Sequence, residues 1–148
     1  MIGFGKILFI IVVVFAFFGD GLKFYQKFFW WDLLLHFIAG ISFVSIGLGI
    51  AKSVPKLSLK QMLIFSFMFS LSVHVFWELF EFTCDQLFNL NMQRWHFDPN
   101  LPDTYGRIIT TRTPGIIDTM TDFIANISGT VLMCIGYLMK KTNNKRLS

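Results

Sequence analysis

Four stretches of this 148-residue chain are each long and apolar enough to cross the hydrocarbon core of a membrane, and they constrain its fold more than any other feature. A spanning helix needs roughly 20 residues, because each residue advances the helix by about 1.5 Å. The stretches cover about residues 2–19, 32–51, 61–85 and 115–140. Backbone groups find no water in lipid, so such segments must be helical. We therefore predict an all-α polytopic membrane protein, with four transmembrane helices in one domain over residues 1–148.

The composition agrees with this fold class. Hydrophobic residues make up 54% of the chain and charged residues 15%, whereas ordinary soluble domains have roughly 25% charged residues. The net charge is +4, but the basic residues do not form one patch with interleaved aromatics, so we do not expect nucleic-acid binding. Cys84 and Cys134 fall in or beside apolar stretches and are read as small hydrophobic residues.

The distribution of lysine and arginine predicts the orientation. Eight of the 13 basic residues lie before the first stretch's apolar core, between stretches two and three, or after stretch four, which places both termini in the cytoplasm. The loop at about residues 86–114 then lies outside the cytoplasm. Residues 7–18 have the length of a signal-peptide core, but the following Phe17-Phe18-Gly19-Asp20 lacks a small-x-small cleavage pattern, so we predict an uncleaved span.

Acidic and histidine residues recur within the third stretch at helical spacing. His74, Glu78, Glu81 and Asp85 are separated by four, three and four residues, which keeps all four on one face of a helix. Ser66 and Ser70 extend this face, and Ser128 adds a hydroxyl to the inner half of the fourth stretch. The remaining positions of the third stretch are mostly apolar and can face lipid.

Polar faces are also predicted for the two neighbouring spans. Asp32 and His36 are four residues apart in the second stretch, and Asp118, Asp122 and Asn126 follow the same spacing in the fourth. Small residues near these faces would let the helices approach closely. They are Ala39, Gly40 and Gly129.

Counting about 1.5 Å per residue from the outer end of each span predicts that the three polar faces meet in layers. The shallow layer holds His36, Glu81 and Asp118. The second layer, roughly 10 Å deep, holds Glu78 and Asp122, and the third, roughly 16 Å deep, holds His74 and Asn126.

Such a cluster needs a compensating charge. One charged residue at the bilayer centre costs about 2.5–3.5 kcal/mol on insertion scales, and neighbouring carboxylates also repel one another. Shared protons, basic partners or a cation would compensate them, a divalent metal ion most directly, and the sequence does not separate a metal from shared protons. Carboxylates with histidines from facing helices are the ligands of metal sites in helical bundles. We predict the ligands to be His36, Glu78, Glu81, Asp118 and Asp122, with Asp32, His74, Asp85 and Asn126 beside them or as further candidates.

A purely structural network is the alternative, in which acidic residues cap helix ends and bind histidine or arginine. The chain has neither the Glu-x-x-His motif of di-iron bundles nor the His-Glu-x-x-His motif of zinc enzymes. The outer loop carries Arg94, Arg107 and Arg112, which could contact an anionic headgroup.

Three functions remain open on these residues, and no catalytic residue is assigned. The first is a metal-binding protein which, if it is an enzyme, is a metal-dependent hydrolase or transferase acting on a lipid-linked or phosphorylated substrate. The second is a relay or transporter for protons or cations. The third is a non-catalytic protein that binds an envelope lipid, an antibiotic or a partner. Membrane lipids are the expected partners, and a second copy of the chain is a further candidate.

The polar motifs resemble those of an uncharacterised family of small bacterial membrane proteins, the YjdF-like family, over about residues 30–138. The resemblance implies a multi-pass protein of a bacterial plasma membrane. The matching motifs are Trp31-Asp32-x-x-x-His36, Trp77-Glu78-x-x-Glu81-Phe82 with Asp85-Gln86, Asn91-Met92-Gln93, and Asp118-Thr119-Met120-x-Asp122.

The last span also resembles the VanZ-like proteins, through Asp122-x-x-x-Asn126-x-x-Gly129. Those proteins typically have glutamine after the glutamate of their third span, and this chain has Glu81 in that region. Their association with resistance to glycopeptide antibiotics implies a role at the cell envelope.

Overall fold

The protein is all-helical over the residues that the structure, a computed structural model, describes: 1–28, 30–93 and 114–146. Four of its helices are long and apolar enough to cross a membrane, which confirms the predicted fold class. The helices are α1 (Ile2–Gly21), α2 (Phe24–Lys27), α3 (Trp31–Ser53), α4 (Leu59–Phe88) and α5 (Pro114–Arg146).

The helices α4 and α5 are longer than their predicted spans. With 30 and 33 residues, they measure about 45 and 50 Å, which exceeds the roughly 30 Å of a hydrocarbon core. The start of α4 is fixed by a capping box, because the Ser58 hydroxyl accepts the backbone N–H of Gln61 and the Gln61 side chain accepts the N–H of Ser58. Its end is marked by Asn89 in the left-handed conformation.

The central helix of the bundle is α3, which packs against α1, α4 and α5. It contacts α5 most closely at two glycines. A Cβ atom on Gly40 would overlap the backbone carbonyl of Asn126, and one on Gly129 would overlap that of Phe37. The predicted close approach at these glycines is confirmed, and it brings the polar faces of α3 and α5 together.

Helix α1 lies at the side of the bundle. Within the described part of the chain it contacts only α2 and α3, and most of its apolar side chains are exposed. The Ser42 hydroxyl donates a hydrogen bond of 2.8 Å to the carbonyl of Gly5, and Gly19 lies against the indole of Trp31. The polar residues of α3, α4 and α5 therefore meet on the side of α3 that α1 does not cover.

Candidate metal centre between α3, α4 and α5

The polar face of α4 points into the bundle, as its spacing predicts. Six of its seven buried residues are polar: Ser66, Ser70, His74, Glu78, Glu81 and Asp85. The large apolar residues on its other faces, such as Phe76 and Leu79, are exposed. In water such a helix would be inside out, so this arrangement is what a lipid-facing helix with a polar interior requires.

The acidic residues of α5 and the histidine of α3 are buried on the same interior surface. Asp118 is 4% exposed, Asp122 1% and His36 7%, whereas Asp32 is half-buried. Charged side chains are almost never buried to this degree unless they are paired or hold a metal.

Five of these residues meet at one point, and we call them the histidine–carboxylate cluster: Asp32, His36, His74, Glu78 and Asp122. The Nε2 atom of His36 lies 3.6 Å from Asp32 Oδ1 and 3.8 Å from Asp122 Oδ2. The Nε2 atom of His74 lies 3.4 Å from Glu78 Oε1. The two imidazole rings are 5.0 Å apart between centroids, so the five side chains form one group.

The cluster contains two sets of three donor atoms that could each hold one metal ion. His36, His74 and Glu78 form one set, and Asp32, His36 and Asp122 form the other; in each set the donor atoms lie within 4.8 Å of one another. Ligands of a common ion at about 2.0–2.2 Å from the metal are separated by roughly 3–4 Å. Small side-chain movements would therefore complete either set.

Several atoms of the cluster that could bind a metal have no hydrogen-bond partner among the described residues. They are Nε2 of His74 and both carboxylate oxygens of Glu78 and of Asp122, all almost inaccessible to solvent. The nearby histidine nitrogens are too distant or poorly aligned for a hydrogen bond. A buried polar atom left in this state costs about 1–3 kcal/mol, and a charged one costs more.

The depth predicted for His36 is wrong. It lies level with Asp122 and contacts the ring of His74, rather than lying in the shallow layer with Glu81 and Asp118. The count assumed that the three outer helix ends are level. However, the carbonyl of Gly40 lies nine residues after the start of α3 and contacts Ser70 and Thr130. Ser70 lies 18 residues before the end of α4, and Thr130 lies 16 residues after the start of α5. On this side of the bundle, α4 and α5 therefore extend about 10–14 Å beyond the start of α3.

Glu81 and Asp118, which the sequence predicts as ligands, are buried but belong to neither donor set. The Oε1 atom of Glu81 accepts a hydrogen bond of 2.8 Å from the indole N–H of Trp77, a residue that is itself exposed. Both carboxylates lie one turn from the cluster, toward the end of the bundle where α4 ends and α5 begins.

Asp85 anchors the chain that follows α4. Its two carboxylate oxygens accept the backbone N–H groups of Met92 and Gln93 at 2.7 and 2.9 Å. The side chain of Gln93 then donates to Thr119 Oγ1 on α5, at 3.0 Å, and to the backbone carbonyl of Glu78, at 3.4 Å. Asp85 therefore has the structural role that was the alternative to ligation, and Gln93 and Thr119 join the site although their residue types gave no metal-ligand signal.

On the side toward the start of α4, the cluster is closed by a hydroxyl layer, which consists of the Ser70 and Thr130 side chains around the carbonyl of Gly40. The two hydroxyls are 2.8 Å apart, and each also lies within 3.4 Å of that carbonyl. Thr130 was missed from the sequence, although it follows Asn126 by four residues and so continues the polar face. Ser128 is exposed and donates to the carbonyl of Ile124, so it does not contribute to the polar interior.

The remaining predicted site residues are Asn126 and three arginines of the loop between α4 and α5. Asn126 is fully buried between the cluster and the hydroxyl layer, and neither polar atom of its side chain has a partner among the described residues. Arg94, Arg107 and Arg112, the predicted headgroup contacts, lie outside the part of the chain that the structure describes.

Comparison with known proteins supports the membrane location. A family model described as "Predicted membrane protein (DUF2238)" matches residues 3–142. No curated protein and no solved structure matches the chain. Since the match covers almost the whole sequence, the chain belongs to this family of predicted membrane proteins.

Proposed function

We propose that this membrane protein binds a divalent metal ion in the histidine–carboxylate cluster. One observation carries the proposal: buried metal-binding atoms of His74, Glu78 and Asp122 converge around His36 without hydrogen-bond partners among the described residues. One metal ion would satisfy them together once Glu78 and Asp122, which belong to different sets around His36, move toward it. Mixed imidazole and carboxylate ligands favour zinc, iron or manganese over calcium, which prefers oxygen ligands alone.

The ligands that we propose are His36, Glu78 and Asp122, together with Asp32 or His74. Glu81 and Asp118 stay candidates for a supporting role, because they lie one turn away and either of them, when ionised, would strengthen the attraction for a cation. A bound metal supplies Lewis acidity and a water molecule that loses its proton more easily than bulk water does. The reaction class that we propose is hydrolysis or transfer on a lipid-linked or phosphorylated substrate.

The cellular setting is also a proposal. The resemblance to the YjdF-like and VanZ-like families favours a bacterial plasma membrane, with the cluster near the outer surface. In that setting the substrate is a component of the cell envelope.

The test is elemental analysis of the full-length protein purified in detergent, with Glu78→Gln and Asp122→Asn beside it. The matched control is Asp20→Asn, which neutralises an exposed carboxylate at the end of α1. We expect a stoichiometric metal in the wild type and in the control, and little or none in the two cluster variants. A wild-type protein that stays metal-free after reconstitution with zinc, manganese and iron(II) would overturn the proposal.

A proton or cation relay is less well supported. It needs a polar route from the cluster to the other side of the membrane. On the inner side of the cluster, the buried polar side chains of the described residues are the Asn126 amide and five hydroxyls, with no ionisable group. Three of the serine hydroxyls donate to backbone carbonyls, which is the usual behaviour of packing residues.

A further inference from the structure

A cleft of about 600 Å³ between α4 and α5 leads from the outer surface of the bundle to Glu78. This volume lies within the range of about 300–1,000 Å³ that is typical of ligand pockets. Most of its wall is apolar, formed by Val75, Leu79 and Phe82 of α4 and by Ile116, Met120 and Phe123 of α5.

The mouth of the cleft faces the surroundings of the helices rather than the bundle. Leu79 is 53% exposed, Ile116 58% and Met120 54%, and all three belong to helices that are long and apolar enough to span the membrane. Exposed apolar side chains of such helices contact the acyl chains or the interface of the bilayer. A cleft bordered by such side chains would admit a hydrocarbon chain directly from the bilayer.

The buried side of the cleft is polar. It contains Glu78, Asp85, Gln93 and Thr119, of which Gln93 and Thr119 are joined by a hydrogen bond of 3.0 Å. Glu78 belongs both to this wall and to the donor set with His36 and His74. The head of a molecule whose tail lies along the apolar wall would therefore reach the edge of the histidine–carboxylate cluster.

We propose that this cleft admits, sideways from the bilayer, the hydrocarbon chain of a lipid phosphate and places the phosphate beside Glu78. The choice of phosphate rests on the proposed metal centre. Two carboxylates alone would repel an anion, whereas a divalent ion held by Glu78 and the histidines attracts it and binds its oxygen atoms. The hydroxyl of Thr119, which accepts a hydrogen bond from Gln93, keeps its own proton as a donor on the same side of the cleft.

Photolabelling tests this proposal with a defined probe. The probe is phosphatidic acid that carries a diazirine in its acyl chain, present at trace levels in phosphatidylcholine vesicles with the full-length, metal-loaded protein. A choline-headed probe with the same chain is used in parallel. Mass spectrometry locates the labelled residues, and labelling of the exposed face of α1 measures ordinary lipid contact.

We expect the phosphatidic acid probe to label the cleft at least several-fold more than α1, and the choline-headed probe to show no such preference. Ile116→Trp, which fills the cleft, should abolish the excess labelling. Ile124→Trp is the matched control, because Ile124 is also an exposed isoleucine of α5, at 64%, but does not line the cleft. Removal of the metal by a chelator should remove the preference for phosphatidic acid over the choline-headed probe.

Other outcomes separate the two proposals. Equal labelling of the cleft and α1, or equal loss in both tryptophan variants, would overturn lateral entry even if the protein holds its metal. A metal-free wild type whose cleft still concentrates phosphatidic acid would overturn the metal centre and uphold lateral entry. A change of oligomeric state in Ile116→Trp alone would make a second copy of the chain the occupant and would overturn the lipid proposal.

Discussion

Two buried polar regions lie between the same three helices, about one or two turns apart, and they differ in how their polar atoms are satisfied. In the hydroxyl layer, Ser70 and Thr130 bond to each other and to the carbonyl of Gly40. In the histidine–carboxylate cluster, the oxygens of Glu78 and Asp122 have no hydrogen-bond partner among the described residues. In the hydroxyl layer, neutral groups satisfy one another by hydrogen bonds, whereas the histidine–carboxylate cluster holds several acidic side chains in a small volume.

The difference indicates what each region is for. Hydroxyls and glycines are sufficient to pack helices in a membrane, since they satisfy one another locally and let the backbones approach. Carboxylates add a cost that packing does not require, because each must be neutralised or paired inside the bilayer. The contrast between a satisfied layer and an unsatisfied cluster therefore favours a ligand in the cluster over a structural network.

The largest loss of stability is expected at the contact between Gly129 and the backbone of Phe37, because both polar regions depend on the close approach of α3 and α5 there. Gly129→Ala places a methyl group against the carbonyl of Phe37, which belongs to the backbone and cannot rotate away. We expect the free energy of unfolding to fall by about 3 kcal/mol, at the upper end for overpacked sites, together with loss of bound metal. Unfolding midpoints in detergent measure this effect.

Gly136→Ala on the same helix provides the control, since a Cβ atom there meets nothing within 4 Å. Alanine also favours a helix more than glycine does, so this variant should be at least as stable as the wild type. If the two variants unfold alike, the helices α3 and α5 approach less closely than the structure indicates.

The effect of Asp122→Asn on protein stability is expected to change sign between metal-free and metal-loaded protein, and this tests the cluster directly. In metal-free protein, Asp122→Asn replaces a buried, ionised carboxylate that has no hydrogen-bond partner in the described residues by a neutral amide, which costs less to bury, so stability should rise by about 2 kcal/mol. In metal-loaded protein the same substitution removes a ligand, and the variant should become the less stable of the two, because only the wild type is stabilised by binding. Thermal unfolding with and without added metal measures both.

Asp20→Asn should change the stability of neither the metal-free nor the metal-loaded protein, since Asp20 is an exposed residue of α1. Equal stabilities of metal-free wild type and Asp122→Asn would contradict the expected sign and indicate that a proton, rather than a metal ion, already neutralises Asp122.

The orientation of each polar face could be predicted from sequence, but the level at which the faces meet could not. A spacing of three or four residues keeps His74, Glu78, Glu81 and Asp85 on one side of a helix whatever surrounds it. The level of His36 depends on how far each helix extends and on where glycines allow contact, as at Gly40 and Gly129. Those are tertiary properties, and a count from predicted helix ends cannot supply them.

Some of the site was available in the sequence and was overlooked. The spacing of four that joins Asp118, Asp122 and Asn126 continues to Thr130, and the same rule excludes Ser128, which lies about 200° from Asn126 around the helix. The bonds from Asp85 to the backbone of Met92 and Gln93 had no such signal, because they depend on the path of the chain after α4.

The smallest effect is expected in the hydroxyl layer, and it separates packing from function. Thr130→Val keeps the shape of the side chain but removes its bonds to Ser70 and to the carbonyl of Gly40. We expect a loss of about 1 kcal/mol in the free energy of unfolding, with metal content unchanged. Ser128→Ala, which removes an exposed hydroxyl of the same helix, should cost less than about 0.5 kcal/mol. If Thr130→Val instead loses its metal at nearly unchanged stability, the hydroxyl layer belongs to the metal centre, and the division between the two regions is wrong.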